Sequence, residues 1–427
     1  MGVVFALLWG SMTSASAATP GALSPADASA RCAAFFGVAP GPDPEPLSAC
    51  QWDMRAIGAG AASYANATGA GVRVGVIDAG VDPTHPDLAG AIDIARSCSF
   101  IFSTTPTADP REIANGDCRN KAAIRDLNGH GTHVATTIAG RVNGVGIAGV
   151  APKARIVAIK ACTIAGFCSA DSVAAALRYA GDLRLDVVNL SLFADPYLYY
   201  CGNDAQQKAI LKDLQDASRY AQQRGVVMVA SAGNEAQDLG HPTTDEVSPD
   251  WPPDTAITRV VHNNCRVAPA ELPGVVTVSS VGVTTLAFYS NTGGPTVDVA
   301  APGGDAEQTS GETYGRILAG WSSTDDTGFW DFLVSDGRGV EDVNGGRWVW
   351  IGGTSMAAPH VAGVAALIRQ LHPNWSPGAV AAHVRSTATP MACPADWPAD
   401  DARQCSGGPT STTFFGAGLV NALRATS

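Results

Sequence analysis

The stretch from Gly352 to Ile368 constrains the fold more than any other. It reads Gly352-Gly353-Thr354-Ser355-Met356-Ala357-Ala358-Pro359-His360 and continues through Gly363 into an apolar run. The two glycines open a turn where a side chain would obstruct the backbone. Ala357, Ala358 and Gly363 carry almost no bulk, so the helix that follows can lie deep against a sheet. Ser355 then falls at a helix N-terminus, where unpaired N–H groups and the helix dipole favour negative charge. A serine there can attack a carbonyl while its own N–H helps to hold the oxyanion. Taken alone, the stretch is equally a buried Ala-rich helix with Ser355 as its N-cap. Three other segments decide between the two.

The sheet such a helix requires is visible in the chain. Residues 72–77 form an apolar run of strand length that ends at Asp78. Residues 154–160, 187–192, 226–230, 272–278 and 296–300 read as further strands, and 170–180 and 204–224 as helices. Strands alternating with helices predict an α/β fold with a parallel sheet covered on both faces. Asp78 then lies at the carboxyl edge, where open α/β sheets place their sites. The nearby glycines precede this strand instead of following it, which argues against a dinucleotide-binding turn. His130 and His133, in Asn128-Gly129-His130-Gly131-Thr132-His133-Val134-Ala135, stand three apart, but no acid or third histidine completes a metal set. Ser231-Ala232-Gly233-Asn234 directly follows the strand at 226–230.

The chain has 427 residues, 46% of them hydrophobic, enough for a substantial core. Its net charge of −12 argues against nucleic acid or an anionic membrane as a partner. Residues 1–17 resemble an export signal, with an apolar run over 3–9 and Ala15-Ser16-Ala17 as a cleavage site, though no Lys or Arg precedes the run. Residues 18–50 are Ala- and Pro-rich and read as an irregular leader. Residues 51–427 read as one domain, with a loop and hairpin insertion around 303–350 that holds Trp321, Trp330, Trp348 and Trp350. Those aromatics could wall a cleft, but a small satellite core is the preferred reading. The ten cysteines are even in number and form no Cys-x-x-Cys pair, which fits an oxidising compartment. Pairing across loop-like segments suggests Cys32–Cys50, Cys98–Cys118, Cys162–Cys168, Cys201–Cys265 and Cys393–Cys405.

Serine attack on an acyl group needs a base, an acid that orients the base, and donors for the oxyanion. Asp78, His130, Asn234 and Ser355 can supply these from the ends of the elements above. Their order, Asp then His then Ser, is not that of the α/β-hydrolases, and Gly353-Thr354-Ser355-Met356-Ala357 lacks the closing glycine of that family's nucleophile elbow. At these residues the chain resembles the subtilases, the subtilisin-like serine peptidases. Four motifs carry the likeness: Val76-Ile77-Asp78-Ala79-Gly80, His130-Gly131-Thr132-His133-Val134-Ala135, Ala230-Ser231-Ala232-Gly233-Asn234 and Gly353-Thr354-Ser355-Met356-Ala357-Ala358-Pro359-His360.

The resemblance implies a three-layer α/β/α fold with a mostly parallel twisted sheet. It implies Asp78 as the orienting acid, His130 as general base and acid, Ser355 as nucleophile, and an oxyanion hole from the Asn234 amide and the Ser355 N–H. His133 becomes a packed structural histidine. Ser191-Leu192-Phe193 and Ser231-Ala232-Gly233 match the two walls of the pocket for the side chain before the scissile bond. Phe193 stands where the family usually has glycine, which narrows a subsite, and Ala79 replaces the usual hydroxyl residue after the aspartate. No cofactor is required for the chemistry. Asp87 and Asn143 match positions that hold structural calcium in the family. The stretch between Ala17 and Cys50 is too short for the family's usual folding prodomain. The expected protein is a secreted, monomeric serine endopeptidase acting on polypeptides. The alternatives are a catalytically silent peptide-binding protein on the same scaffold, or an esterase or amidase with the same triad.

Overall fold

The computed structural model describes residues 21–38 and 45–427; the export-signal segment 1–17 lies outside them. Seven strands form one sheet: β1 (Arg73–Asp78), β2 (Cys98–Ser99), β3 (Arg155–Lys160), β4 (Val187–Leu190), β5 (Val227–Ser231), β6 (Val275–Val281) and β7 (Val299–Pro302). Their order is β7-β6-β5-β4-β1-β3-β2, and every neighbouring pair is parallel. β2 is a short edge strand inside a segment that reads as loop from sequence. The strands are nearly continuous runs of buried Val, Ile and Ala, as a sheet covered on both faces requires.

Alternation along the strands sorts the two faces. Val74 and Val76 of β1 join one core with Val134 and Ile138 and with Met356, Val361 and Leu367. Ile77 joins the other with Leu177 and Leu214. The first face is covered by α2 (His130–Ala139) and α5 (Thr354–Leu371); the second by α3 (Ala170–Asp182) and α4 (Ala205–Gln223). The result is the expected α/β/α arrangement. The N-terminus of α4 is set by Asp204, whose side chain accepts the Gln207 N–H at 2.8 Å. Every side chain of α5 from Met356 to Arg369 is buried, and Gly363 is the reason it can sit so deep. A Cβ there would lie 2.5 Å from the Val150 Cβ.

The leader departs from its expected irregular form. Residues Pro25–Phe36 form a helix, α1, because Ser24 caps its N-terminus and Gly37 ends it in a left-handed conformation. Proline density hid this short Ala-rich helix. The 303–350 segment forms a three-stranded antiparallel sheet of β8 (Ile317–Trp321), β10 (Arg347–Ile351) and β9 (Gly339–Glu341), in that order. Leu23 extends it, donating its N–H to Gly339 O and accepting from Glu341 N, both at 2.9 Å. Trp348 and Trp350 then pack with Ala28, Cys32, Leu47 and Cys50 of the leader in a separate core. Trp321 and Trp330 join the main core instead. All five expected disulfides are present. Among the described residues, no helix is long and apolar enough to cross a membrane.

Trp350 is fully buried between the insertion sheet and the leader. Trp350→Ala should cost about 3–5 kcal/mol in urea unfolding and expose α1 to limited proteolysis. An unchanged urea midpoint with α1 still protected would show that this core does not hold the leader.

Candidate active site

The strand ends and helix starts converge on one cleft. Asp78 ends β1 and is 2% exposed. Its Oδ1 accepts the Ala79 N–H at 2.7 Å, so the main chain serves it where a hydroxyl residue was expected. The His130 Nδ1 lies 2.8 Å from Asp78 Oδ1 and 3.0 Å from Oδ2. Burial alone would lower the His130 pKa. The charge of Asp78 and its hydrogen bond outweigh that, with Asp126 adding to them, and the pKa is raised above the ordinary value. Gly131 is needed beside them, since a Cβ would come within 2.0 Å of the Gly80 carbonyl oxygen.

Ser355 lies in the first turn of α5, four residues before Pro359. Proline has no N–H to return to the Ser355 carbonyl, and the Ser191 hydroxyl fills that role, donating to it at 2.8 Å. Ser191 is held in turn by the Asn189 amide at 2.9 Å. The wall residue Ser191 is therefore a support for the Ser355 peptide. The Ser355 hydroxyl donates to the Ser191 carbonyl at 3.4 Å. Asn234 Oδ1 accepts from Thr354 N at 2.8 Å and Thr354 Oγ1 at 2.9 Å, which leaves its NH₂ as a free donor beside Gly353. Asp78, His130, Asn234 and Ser355 line the same cleft with Leu192, Phe193, Ser231 and Gly233. Ala232 is fully buried behind that wall. Phe193 lines the cleft and packs against the Tyr199 and Val267 cluster. On the other side of Ser355 the walls are Phe288 and, from the insertion, Arg316, Phe329 and Arg338. The insertion thus supplies both a satellite core and a cleft wall.

Asp126 escaped the sequence reading. It is fully buried, and its oxygens accept from Gly129 N at 2.7 Å, Thr132 N at 2.8 Å and Thr132 Oγ1 at 2.7 Å. These bonds shape the loop that presents His130. Burial raises its carboxyl to about 6 against the opposing charge of Lys160. The available signal was an acid just before Asn128-Gly129, an Asx-turn composition. His133 faces away from the cleft, with Nε2 at 3.3 Å from the Ile317 carbonyl.

The calcium assignment does not fit. Asp87 Oδ2 accepts from Trp348 Nε1 at 2.7 Å and Ile147 N at 3.2 Å. Glu45 Oε1 accepts from Asn143 N at 2.7 Å and Gly144 N at 3.0 Å, and the Asn143 side-chain oxygen accepts from Val145 N. The loop therefore turns donors inward, whereas calcium takes roughly six to eight oxygens. Only Asp87 Oδ1 and Glu45 Oε2 lack a donor among these carboxylate oxygens. Burial pushes the Asp87 carboxyl well above the usual range, with Glu45 adding to the rise. Among the described residues, no group of three or more His, Cys, Asp and Glu is placed to hold a metal. Excess EGTA should leave the melting temperature unchanged; a fall of several degrees would restore the ion.

Burial lowers the His133 pKa to about 3, with the neighbouring His130 adding to the effect. Its folded-state value lies below the unfolded value of about 6.5, so its contribution to stability is intact above that pH. Stability should decline as the pH falls from there towards about 3. The decline should be shallower in His133→Gln; equal slopes in urea titrations would contradict this.

With this geometry in hand, three comparisons place the chain. The model of the subtilase family matches residues 69–418. Subtilisin Savinase of Lederbergia lenta is 29% identical over 377 residues, covering 88% of this chain and 98% of that protein. A crystal structure of fervidolysin from Fervidobacterium pennivorans, described as a keratinolytic enzyme related to subtilisin, superposes with a TM-score of 0.60 at 28% identity, covering 90% of this chain and 46% of that one. A protease from Pseudoalteromonas arctica gives a TM-score of 0.61 at 26% identity, covering 90% of this chain and 99% of that one. A match over most of the chain, on the fold and motifs that serine proteolysis needs, supports one conclusion: the protein belongs to the subtilase family of serine-type endopeptidases.

Proposed function

We propose that this protein is a secreted endopeptidase that cleaves polypeptides through an acyl-enzyme on Ser355. The observation that carries the reading is the His130–Asp78 contact at 2.8 Å in a cleft also lined by Ser355 and Asn234. For the reaction the Ser355 hydroxyl leaves the Ser191 carbonyl, to which it donates at 3.4 Å, and pairs with His130 Nε2. Such contacts commonly tighten only when substrate is bound. His130 then takes the hydroxyl proton as Oγ attacks the scissile carbonyl, and Asp78 stabilises the imidazolium that forms. The negative oxygen of the tetrahedral intermediate is held by the Asn234 NH₂ and the Ser355 N–H. His130 returns the proton to the departing amine, and water releases the acyl group by the same steps in reverse. No cofactor is needed. The peptide lies extended along the cleft, its acyl side on the Leu192 and Gly233 walls, in the manner of an added strand.

Secretion is supported by the export-like residues 1–17 and by five disulfides, which persist in oxidising compartments. A monomer suffices, because each proposed catalytic group comes from this chain. The esterase reading is less favoured because the cleft runs on both sides of Ser355, with room for chain before and after the bond.

Ser355→Ala should abolish casein hydrolysis and fluorophosphonate labelling while unfolding as the wild type does. Labelling that survives would exclude Ser355 as nucleophile. Asn234→Ala should lower kcat by about 10²–10³ with little change in KM, a range taken over from the same donor in subtilisin. The raised His130 pKa puts the acid limb of kcat/KM above about 6.5, because activity needs the neutral ring and is lost as the pH falls through that value. A limb centred lower would be inconsistent with the Asp78 contact.

A further inference from the structure

The acyl side of the cleft carries acids that the mechanism does not use. Asp195 lies two residues beyond Phe193 on the same wall and lines the cleft with Ser191, Ser231 and Gly233. Its side chain is 1% exposed. Oδ2 accepts the Cys168 N–H, whereas Oδ1 has no donor. A second acid stands against it. The Asp250 N–H donates to Pro196 O at 3.1 Å, which sets its carboxyl in contact with that of Asp195, and Asp250 Oδ1 also lacks a donor. Glu235 lines the same side of the cleft, where no Lys or Arg does; Arg316 and Arg338 stand on the other side of Ser355.

Two touching carboxyls, one of them fully buried, cannot both ionise without a counter-cation. Burial raises both; the hydrogen bond and charge of Asp250 raise Asp195 further, while the same hydrogen bond lowers Asp250, so the pair shares one proton. The described residues hold no set of three metal-ligating side chains, so a protein-bound metal does not supply the charge. A substrate side chain can. Leu192, Phe193 and Val267 line the same side of the cleft as Asp195. Apolar wall residues together with an acid suit a side chain with a methylene stem and a charged head.

We propose that Asp195, backed by Asp250, makes this pocket select a lysine or arginine at the residue preceding the scissile bond. The inference rests on the peptidase reading and names the substrate class of that site. Entry of the cation displaces the proton the pair shares and leaves an ion pair shielded from water. A neutral side chain of the same length leaves the shared proton in place and gains only the apolar contact.

The test uses the full-length secreted enzyme and fluorogenic tetrapeptides identical except for the last residue, which is Arg, Lys, Leu, Phe or Glu. The fraction of competent enzyme is fixed by fluorophosphonate titration. Arg and Lys should exceed Leu in kcat/KM by at least about tenfold. Asp195→Asn should bring that ratio close to one, and Asp250→Asn should lower it by a smaller factor, which keeps the test alive if the first variant does not fold. A wild-type preference for Leu or Phe overturns the proposal. So does a ratio that neither variant moves, which would leave the two acids as a proton-sharing pair buried in the wall. Turnover of none of these peptides, with no labelling of Ser355, would overturn the peptidase reading and this inference with it.

Discussion

The arrangement depends on how the Ser355 peptide is held. Pro359 removes the N–H that would have closed the first turn of α5 onto the Ser355 carbonyl, and the Ser191 hydroxyl takes that carbonyl from the end of β4. Asn234, just past β5, takes the Thr354 N–H and hydroxyl. Two neighbouring strands therefore grip the residues on either side of the Ser355 N–H. A loop could not place a hydroxyl and two oxyanion donors with the same accuracy, because its backbone would move against the sheet. The depth of α5 in the core makes the grip rigid, and that depth comes from Ala357, Ala358, Ala362 and Gly363.

Beneath the cleft is a layer of buried polar contacts. Lys160 and Glu112 are 0% and 1% exposed and pair at 2.8 Å. Lys160 also donates to the carbonyls of Ala79 and Arg125. Asp126 gathers the N–H groups of the His130 loop. His360 bridges Asp53 at 2.9 Å and the Met356 carbonyl at 2.8 Å, tying the start of the domain to α5. Such buried pairs add little net stability. Their effect here is geometric: each ties together separate segments of the chain, and removing one partner would strand the other. The low dielectric they share with the site strengthens the Asp78–His130 interaction.

The leader and the insertion sheet form a second, smaller core beside the main one. α1, the Cys32–Cys50 bridge and the indoles of Trp348 and Trp350 make one small core on the side of the domain near Asp87. The Trp348 N–H meets the Asp87 carboxylate, and the Glu45 carboxylate meets the N–H groups of Asn143 and Gly144. A tryptophan from one segment and an acid from another thus join Asp87 and the loop at 141–147 to this core.

Much of this was legible in the sequence. Strand-length apolar runs and the amphipathic 204–224 pattern located the sheet and its helices, because burial on both faces leaves a compositional trace. The four motifs located Asp78, His130, Asn234 and Ser355, because backbone turns at those points tolerate few residue types. The near-neighbour cysteine pairs followed from chain proximity. The leader helix was obscured by the prolines around it. Asp126, Asp195 and Asp250 were not singled out, because an acid's role depends on what lies across the fold from it, and Asp195 meets Asp250 only in space. Ser191 lines the cleft as its motif implies, and only the fold shows its hydroxyl supporting the carbonyl that Pro359 leaves open. Asp87 and Asn143 matched calcium positions by sequence, and only the fold showed Trp348 and Glu45 reaching them. Local pattern determines which elements form and which residues end them, since those preferences act within a few residues. Tertiary structure alone decides which polar groups find partners and which are left for a ligand, since desolvation and hydrogen bonding act between residues far apart in the chain.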